Sequence, residues 1–175
     1  MSLLKFLGLE KKEDANLKVS AETTTLQKIT LVLDAMEPDR ARYIAGFSYI
    51  LGRVAHADLE ISEEETCEMK KIVMHWGKLP EEQATIVVQI AKTQNILFGH
   101  TESYLVTREF SKVASREQKL DLLHCLFAVS SSDENVSTQE VREIRQITSE
   151  LKLDHRDFIS VRSSYREHLS LFKKS

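Results

Sequence analysis

The sequence predicts an all-α protein, a compact bundle of about seven main helices with an internal pseudo-repeat. Apolar residues recur at three- and four-residue steps over most of the chain, the mark of helices with one buried face. Only 5 Gly and 2 Pro interrupt 175 residues, which suits long helices with short connections. A helix, acidic elbow and helix unit also occurs twice, once around Asp58 and again around Asp133. With 42% hydrophobic residues the chain can bury a sizeable core without disulfides or structural zinc. The expected organisation is an N-terminal apolar segment and linker over residues 1–20, followed by a single helical domain over 21–175.

Leu3, Leu4, Phe6, Leu7 and Leu9 form an apolar cluster, and Lys11 to Asn16 read as a solvated linker. So short a segment is marginal as an isolated helix, and docking onto its own domain is the commoner fate. Leu26, Ile29, Leu33 and Met36 mark the first long helix, which Pro38 interrupts. Tyr43, Ile44, Phe47, Ile50, Leu51 and Val54 share one face of the next, expected from about Asp39 to Ala57. Ser62 and Glu65 then form a capping box, in which the hydroxyl and the carboxylate each satisfy an open backbone N–H. The helix they start buries Met69, Ile72, Val73 and Trp76, and Gly77 stands where a left-handed C-terminal residue is expected.

Pro80 opens a helix bearing Ala84, Val87, Ile90 and Ala91, and Tyr104, Leu105 and Phe110 mark an amphipathic segment after Gly99. Ser115 and Gln118 form a second box, ahead of a helix with Leu122, Leu123, Leu126, Phe127 and Val129. Ser137 and Glu140 form a third, ahead of Val141, Ile144, Ile147 and Leu151. Phe158, Ile159, Val161, Tyr165, Leu169 and Phe172 mark the last helix.

Laying Asp133 on Asp58 brings Val136 onto Ile61, Ser137 onto Ser62 and Glu140 onto Glu65. Upstream, Leu126 falls on Leu51 and Val129 on Val54; downstream, Ile147 falls on Ile72 and Leu151 on Trp76. Each elbow places Asp at the exit of one helix, a β-branched residue at the corner, Ser as the cap of the next, and Glu in its first turn near the positive dipole end. These elbows resemble the acidic motifs of the TerB-like tellurite-resistance family, which begin Ala-Asp-Gly and end in Glu. Ala57, Asp58, Ile61 and Glu65 match in the first elbow, and Asp133, Val136 and Glu140 in the second. Leu59 and Glu134 stand where the family favours Gly.

The resemblance extends in helix order over residues 22 to 172. It implies a helical fold whose acidic elbows approach one another and hold a divalent cation, in a family associated with tellurite and stress responses. The ligands would be Asp58, Glu65, Asp133 and Glu140, supported by Glu60, Asn135 and His56. Such hard oxygen donors suit calcium, magnesium or manganese. The same residues are also explained without a ligand, the Glu residues as capping partners and the Asp residues as turn formers. An EF-hand is excluded, because its required Gly and Glu positions are filled by Glu63 and Met69 in one elbow and by Thr138 and Ile144 in the other.

The net charge of -3 is spread along the chain, so no positive field attracts nucleic acid. Cys67 and Cys125 lack zinc-finger spacing and read as buried free thiols. No phosphate loop, nucleophile elbow or paired-histidine zinc motif supports catalysis. His75, His124 and His155 form no such pair, and Trp76 reads as core. No apolar run reaches the roughly 20 residues of a membrane span, and no cleavable leader is recognisable, so a cytoplasmic protein is expected. Residues 1–9 still offer weak peripheral membrane contact or a surface for a protein partner. The alternative to a cation-binding module is therefore a metal-free helical adaptor that captures another protein.

Overall fold

A computed structural model describes residues 21–55, 62–97, 103–131 and 138–172. Eight helices fill these stretches: α1 Ala21–Asp34, α2 Pro38–Ala55, α3 Glu63–His75, α4 Glu81–Leu97, α5 Ser103–Val113, α6 Arg116–Ser131, α7 Thr138–Glu150 and α8 His155–Phe172. Among the described residues there is no strand. The all-α prediction holds, with eight helices where about seven main ones were expected, because the amphipathic segment after Gly99 forms a full helix. The N-terminal cluster, residues 56–61 of the first elbow and residues 132–137 before and within the second lie outside the described residues.

α2 is the central post. From Ala41 to Leu51 it is buried on every side except at Arg42, and Gly52 and Val54 extend the buried stretch. A helix apolar all round must be enclosed by others, and α1, α4, α5, α6 and α7 all pack against it. Gly46 makes one of these approaches feasible, since a Cβ there would lie 2.8 Å from Phe110 Cδ2 on α5. α6 is the second central helix, buried at Leu122, Leu123 and from Cys125 to Ser130. One hydrophobic cluster draws residues from all eight helices, from Ile29 to Val161.

The duplication is visible in the packing. α3 packs on α4 and α6, and α4 on α2, as α7 packs on α8 and α2, and α8 on α6. α5 breaks the symmetry: by chain order it corresponds to α1, yet it lies against α2 and α7. Its orientation departs from the sequence reading, which put Tyr104 and Leu105 on the apolar face; they are 56% and 43% exposed, while Val106, Thr107 and Phe110 are buried. Phe110 sets that face, since one turn back from it lie Val106 and Thr107. Ile159 on α8 is likewise exposed, because Phe158 and Val161 take the inward positions.

The helix ends show where the repeat slips. α7 ends in a Schellman motif: Lys152 N–H donates to Ser149 O, Leu153 N–H donates to Thr148 O, and Lys152 has φ 59°. After α3 the left-handed residue is Lys78, with φ 54°, rather than Gly77. Lys78-Leu79 thus corresponds to Lys152-Leu153, one position off the register set by the elbows, and Gly77 is the extra residue. It is glycine because of crowding: a Cβ there would lie 2.5 Å from Val73 O and 3.1 Å from Phe47 Cζ.

Candidate functional site

Ser62 has extended backbone (φ -66°, ψ 166°) that turns its hydroxyl toward the start of α3. Its Oγ accepts from Glu65 N at 3.1 Å, and Glu65 Oε2 accepts from Ser62 N at 2.7 Å. The Ser115 and Gln118 box is formed in the same way, at 3.1 and 2.8 Å. For the third box, Ser137 lies outside the described residues. A related arrangement that the sequence reading missed starts α8, where Asp154 N–H donates to Asp157 Oδ2 at 3.0 Å.

Of the seven residues expected to serve a cation, Glu65 and Glu140 are described. Glu65 is exposed in the first turn of α3, and Glu140 half-buried in the first turn of α7. Asp58, Asp133, Glu60, Asn135 and His56 lie outside the described residues. Among the described residues, no three His, Cys, Asp or Glu side chains gather closely enough to hold a metal. The donor chemistry of the two that are described fits a hard cation. Capping engages one oxygen of Glu65 and orients its carboxylate without consuming it.

The polar centre that the structure does reveal is built on Arg53, near the end of α2. Its side chain is only 6% exposed. Nε donates to Glu143 Oε1 at 2.8 Å, Nη2 lies 2.7 Å from the same oxygen, and Nη1 donates to Glu150 Oε2 at 2.7 Å and to Thr107 Oγ1 at 2.8 Å. One guanidinium therefore ties α2 to α5 and to two sites on α7, one in its second turn and one at its C-terminal end. Burial alone would lower the Arg53 pKa; hydrogen bonds and charge from Glu150 and Glu143 outweigh it, and the net shift is upward. The sequence did carry a signal: Arg53 interrupts the apolar run of Ile50, Leu51 and Val54, and a cation at a core position requires buried partners.

A second cluster joins α3, α6 and α8. Trp76 stacks on His124 (centroids 5.0 Å apart, 9° between planes), with His75 edge-on to the indole at 4.9 Å and Tyr165 tilted at 5.7 Å. Buried His124 Nδ1 and Tyr165 Oη have no hydrogen-bond partner among the described residues. Burial, aided by Lys78 and opposed by Asp121, lowers the His124 pKa. Cys125 is buried beside it, and that burial pushes its thiol pKa up, so it is an inert core thiol. Cys67 contradicts the expectation of two buried thiols: it is exposed, because the inward face of α3 begins at Met69.

Two sets of helices packed through paired central helices, with a repeated acidic motif in the sequence, define a tandem, all-helical class of protein. The sequence model of the family described as tellurite resistance protein TerB matches residues 44–163, and the chain belongs to that family. The match runs from within α2 to within α8 and so takes in both elbows. No curated protein and no solved structure matches the chain. Among the described residues no helix is long and apolar enough to cross a membrane.

Proposed function

We propose that this TerB-family protein is a cytoplasmic stress and tellurite-resistance module that binds a divalent cation through its paired acidic elbows. Asp58, Glu65, Asp133 and Glu140 would supply oxygen ligands, with Glu60, Asn135 and His56 in support. The supporting observation is the Arg53–Glu143 contact. Arg53 lies two residues before the described end of α2, which leads into the first elbow, and Glu143 lies in the second turn of α7, which the second elbow enters. The contact holds the last described turn of α2 against α7, which supports a site shared by the two elbows. Calcium, magnesium or manganese suits such a donor set.

Calorimetric titration of the metal-stripped protein with each of these ions and with zinc tests the reading, alongside Asp58→Asn/Asp133→Asn. The expected result is saturable binding by the wild type that disappears in a variant retaining its helical spectrum. Absence of binding by the wild type would leave the elbows as helix caps.

A metal-free adaptor is the second reading. It is favoured by large apolar side chains left outward on α1 and α5, where Leu31 is 70% and Tyr104 56% exposed. Removing residues 1–16 and substituting Leu31 and Tyr104 would then abolish capture of a protein partner without changing cation affinity.

A further inference from the structure

We propose that the outward face of α1 is a dimerisation surface, on which a second copy of this chain docks antiparallel with Leu31 against its counterpart. α1 rests on α2 through Ile29 and Leu33, 6% and 1% exposed, with Met36 packed beside them. The opposite stripe, Gln27, Lys28, Leu31, Asp34 and Ala35, is exposed throughout. Its members recur at the three- and four-residue steps that fall on one side of a helix. Ala35 belongs to it because its N–H still donates to Leu31 O. Leu31, at the centre, is 70% exposed. Tyr104 on α5 also faces outward, but the Arg108 guanidinium lies over its ring, 5.8 Å from the centroid. The dimer does not depend on cation binding, and it gives to a second copy the face that the adaptor reading gives to a foreign protein.

A lone exposed leucine is commonplace; this one is flanked by opposite charges that make the stripe self-complementary. Lys28 lies one turn before Leu31 and Asp34 one turn after it, each about 4.5 Å away along the axis. A twofold axis level with Leu31 reverses the direction of the second helix. It sets Lys28 level with the partner's Asp34, and Asp34 level with the partner's Lys28, on either side of the paired leucines. A contact between identical patches requires this reciprocity, whereas a parallel pair would set like charges level with one another. Within one chain neither charge forms an ion pair among the described residues. Asp34 is moreover the last residue of α1, at the negative end of its dipole, and the last turn holds no basic residue. The partner's Lys28 supplies the cation that this position lacks.

One helix stripe is a small interface, below the roughly 1,200 Å² at which stable complexes begin, so association is weak and reversible. Sedimentation velocity of the full chain between about 10 µM and about 1 mM is expected to show a monomer–dimer equilibrium. Leu31→Asp, which leaves the core untouched, is expected to weaken association roughly tenfold or more. Lys28→Glu and Asp34→Lys should each weaken it by setting like charges level, and Lys28→Glu/Asp34→Lys should recover most of the wild-type association. Residues six apart do not face one another within a helix, so this rescue reports a contact between chains. Asp34→Lys also relieves the unfavourable charge at the helix end, so its melting temperature should rise while its association falls.

A wild type that stays monomeric over the whole range overturns the proposal and leaves the face to a foreign partner. A monomeric wild type that dimerises through Leu31 only after Leu4→Glu/Leu7→Glu overturns it as well, because the chain's own N-terminal apolar segment then occupies the face. Dimerisation that survives Leu31→Asp in a folded variant places the interface elsewhere. Should Leu31→Asp not fold, the charge swap decides alone: rescue supports the antiparallel pair, and a double variant no better than either single one overturns it.

Discussion

Arg53 and Glu150 bury their charges against one another, Nη1 lying 2.7 Å from Oε2 with 6% of each side chain exposed. Breaking such a pair from one side strands the surviving charge, which costs about 3–5 kcal/mol, whereas replacing both partners with apolar groups of similar size is far less damaging. Arg53→Met, which strands Glu150, should destabilise strongly, Glu150→Met less because Arg53 keeps Glu143, and the double variant should recover much of the loss of Arg53→Met. Urea unfolding of the four proteins checks this; additive losses in the double variant would show that the pair is not coupled.

Gly77 and Gly46 are both required by close approach, but their neighbours differ in how far they can yield. A Cβ at Gly77 would meet a backbone carbonyl, Val73 O, at 2.5 Å, and one at Gly46 would meet the Phe110 ring at 2.8 Å. A ring can shift; a helix carbonyl can move only with its helix. Gly77→Ala should therefore destabilise more than Gly46→Ala, with overpacking costs of about 1–3 kcal/mol. Thermal unfolding of both variants checks the order, and an equal or reversed ranking would refute it.

Lys152 is a left-handed residue inside a complete Schellman motif, a position at which an L side chain costs about 1–2 kcal/mol relative to glycine. Lys152→Gly should raise the melting temperature. Lys78→Gly should gain less, because Lys78 pairs with Glu117 and Asp121 at 3.2 Å and would lose both. A lower melting temperature for Lys152→Gly would mean that its side chain stabilises the turn in some other way.

The fold was legible because each helix carries its own signals: the Ser62–Glu65 and Ser115–Gln118 boxes start helices as expected, and the faces of α2 and α6 are buried as their periodicity requires. Tyr104 and Leu105 were misread because a short amphipathic pattern allows two faces, and only packing against α2 selects Val106, Thr107 and Phe110. Gly77 was assigned a conformational role because local spacing reveals φ preference, whereas its real constraint comes from Phe47 and Val73 across the packing. The Arg53 network joins residues up to 97 positions apart, beyond any local pattern. The acidic elbows were legible as a repeat because Asp58, Ser62 and Glu65 recur as Asp133, Ser137 and Glu140 at one spacing.

His124 makes stability depend on pH in a defined direction. Burial, the largest influence, with help from Lys78 and against Asp121, holds its folded pKa below the ordinary histidine value near 6.5. The unfolded chain therefore takes up the proton more readily than the folded one. The contribution of His124 to stability is full above about pH 6.5, and it is lost as pH falls from there toward the lower folded value. His124→Phe keeps a flat ring against Trp76 and removes both the titration and a buried Nδ1 that has no partner among the described residues. Melting temperatures of wild type and variant, taken between about pH 7.5 and about pH 5.5, should diverge in slope, the variant falling less. Trp76 is the only tryptophan and stacks on this imidazole, so its fluorescence reports the same loss locally. Parallel slopes in the two proteins would assign the acid sensitivity to other groups.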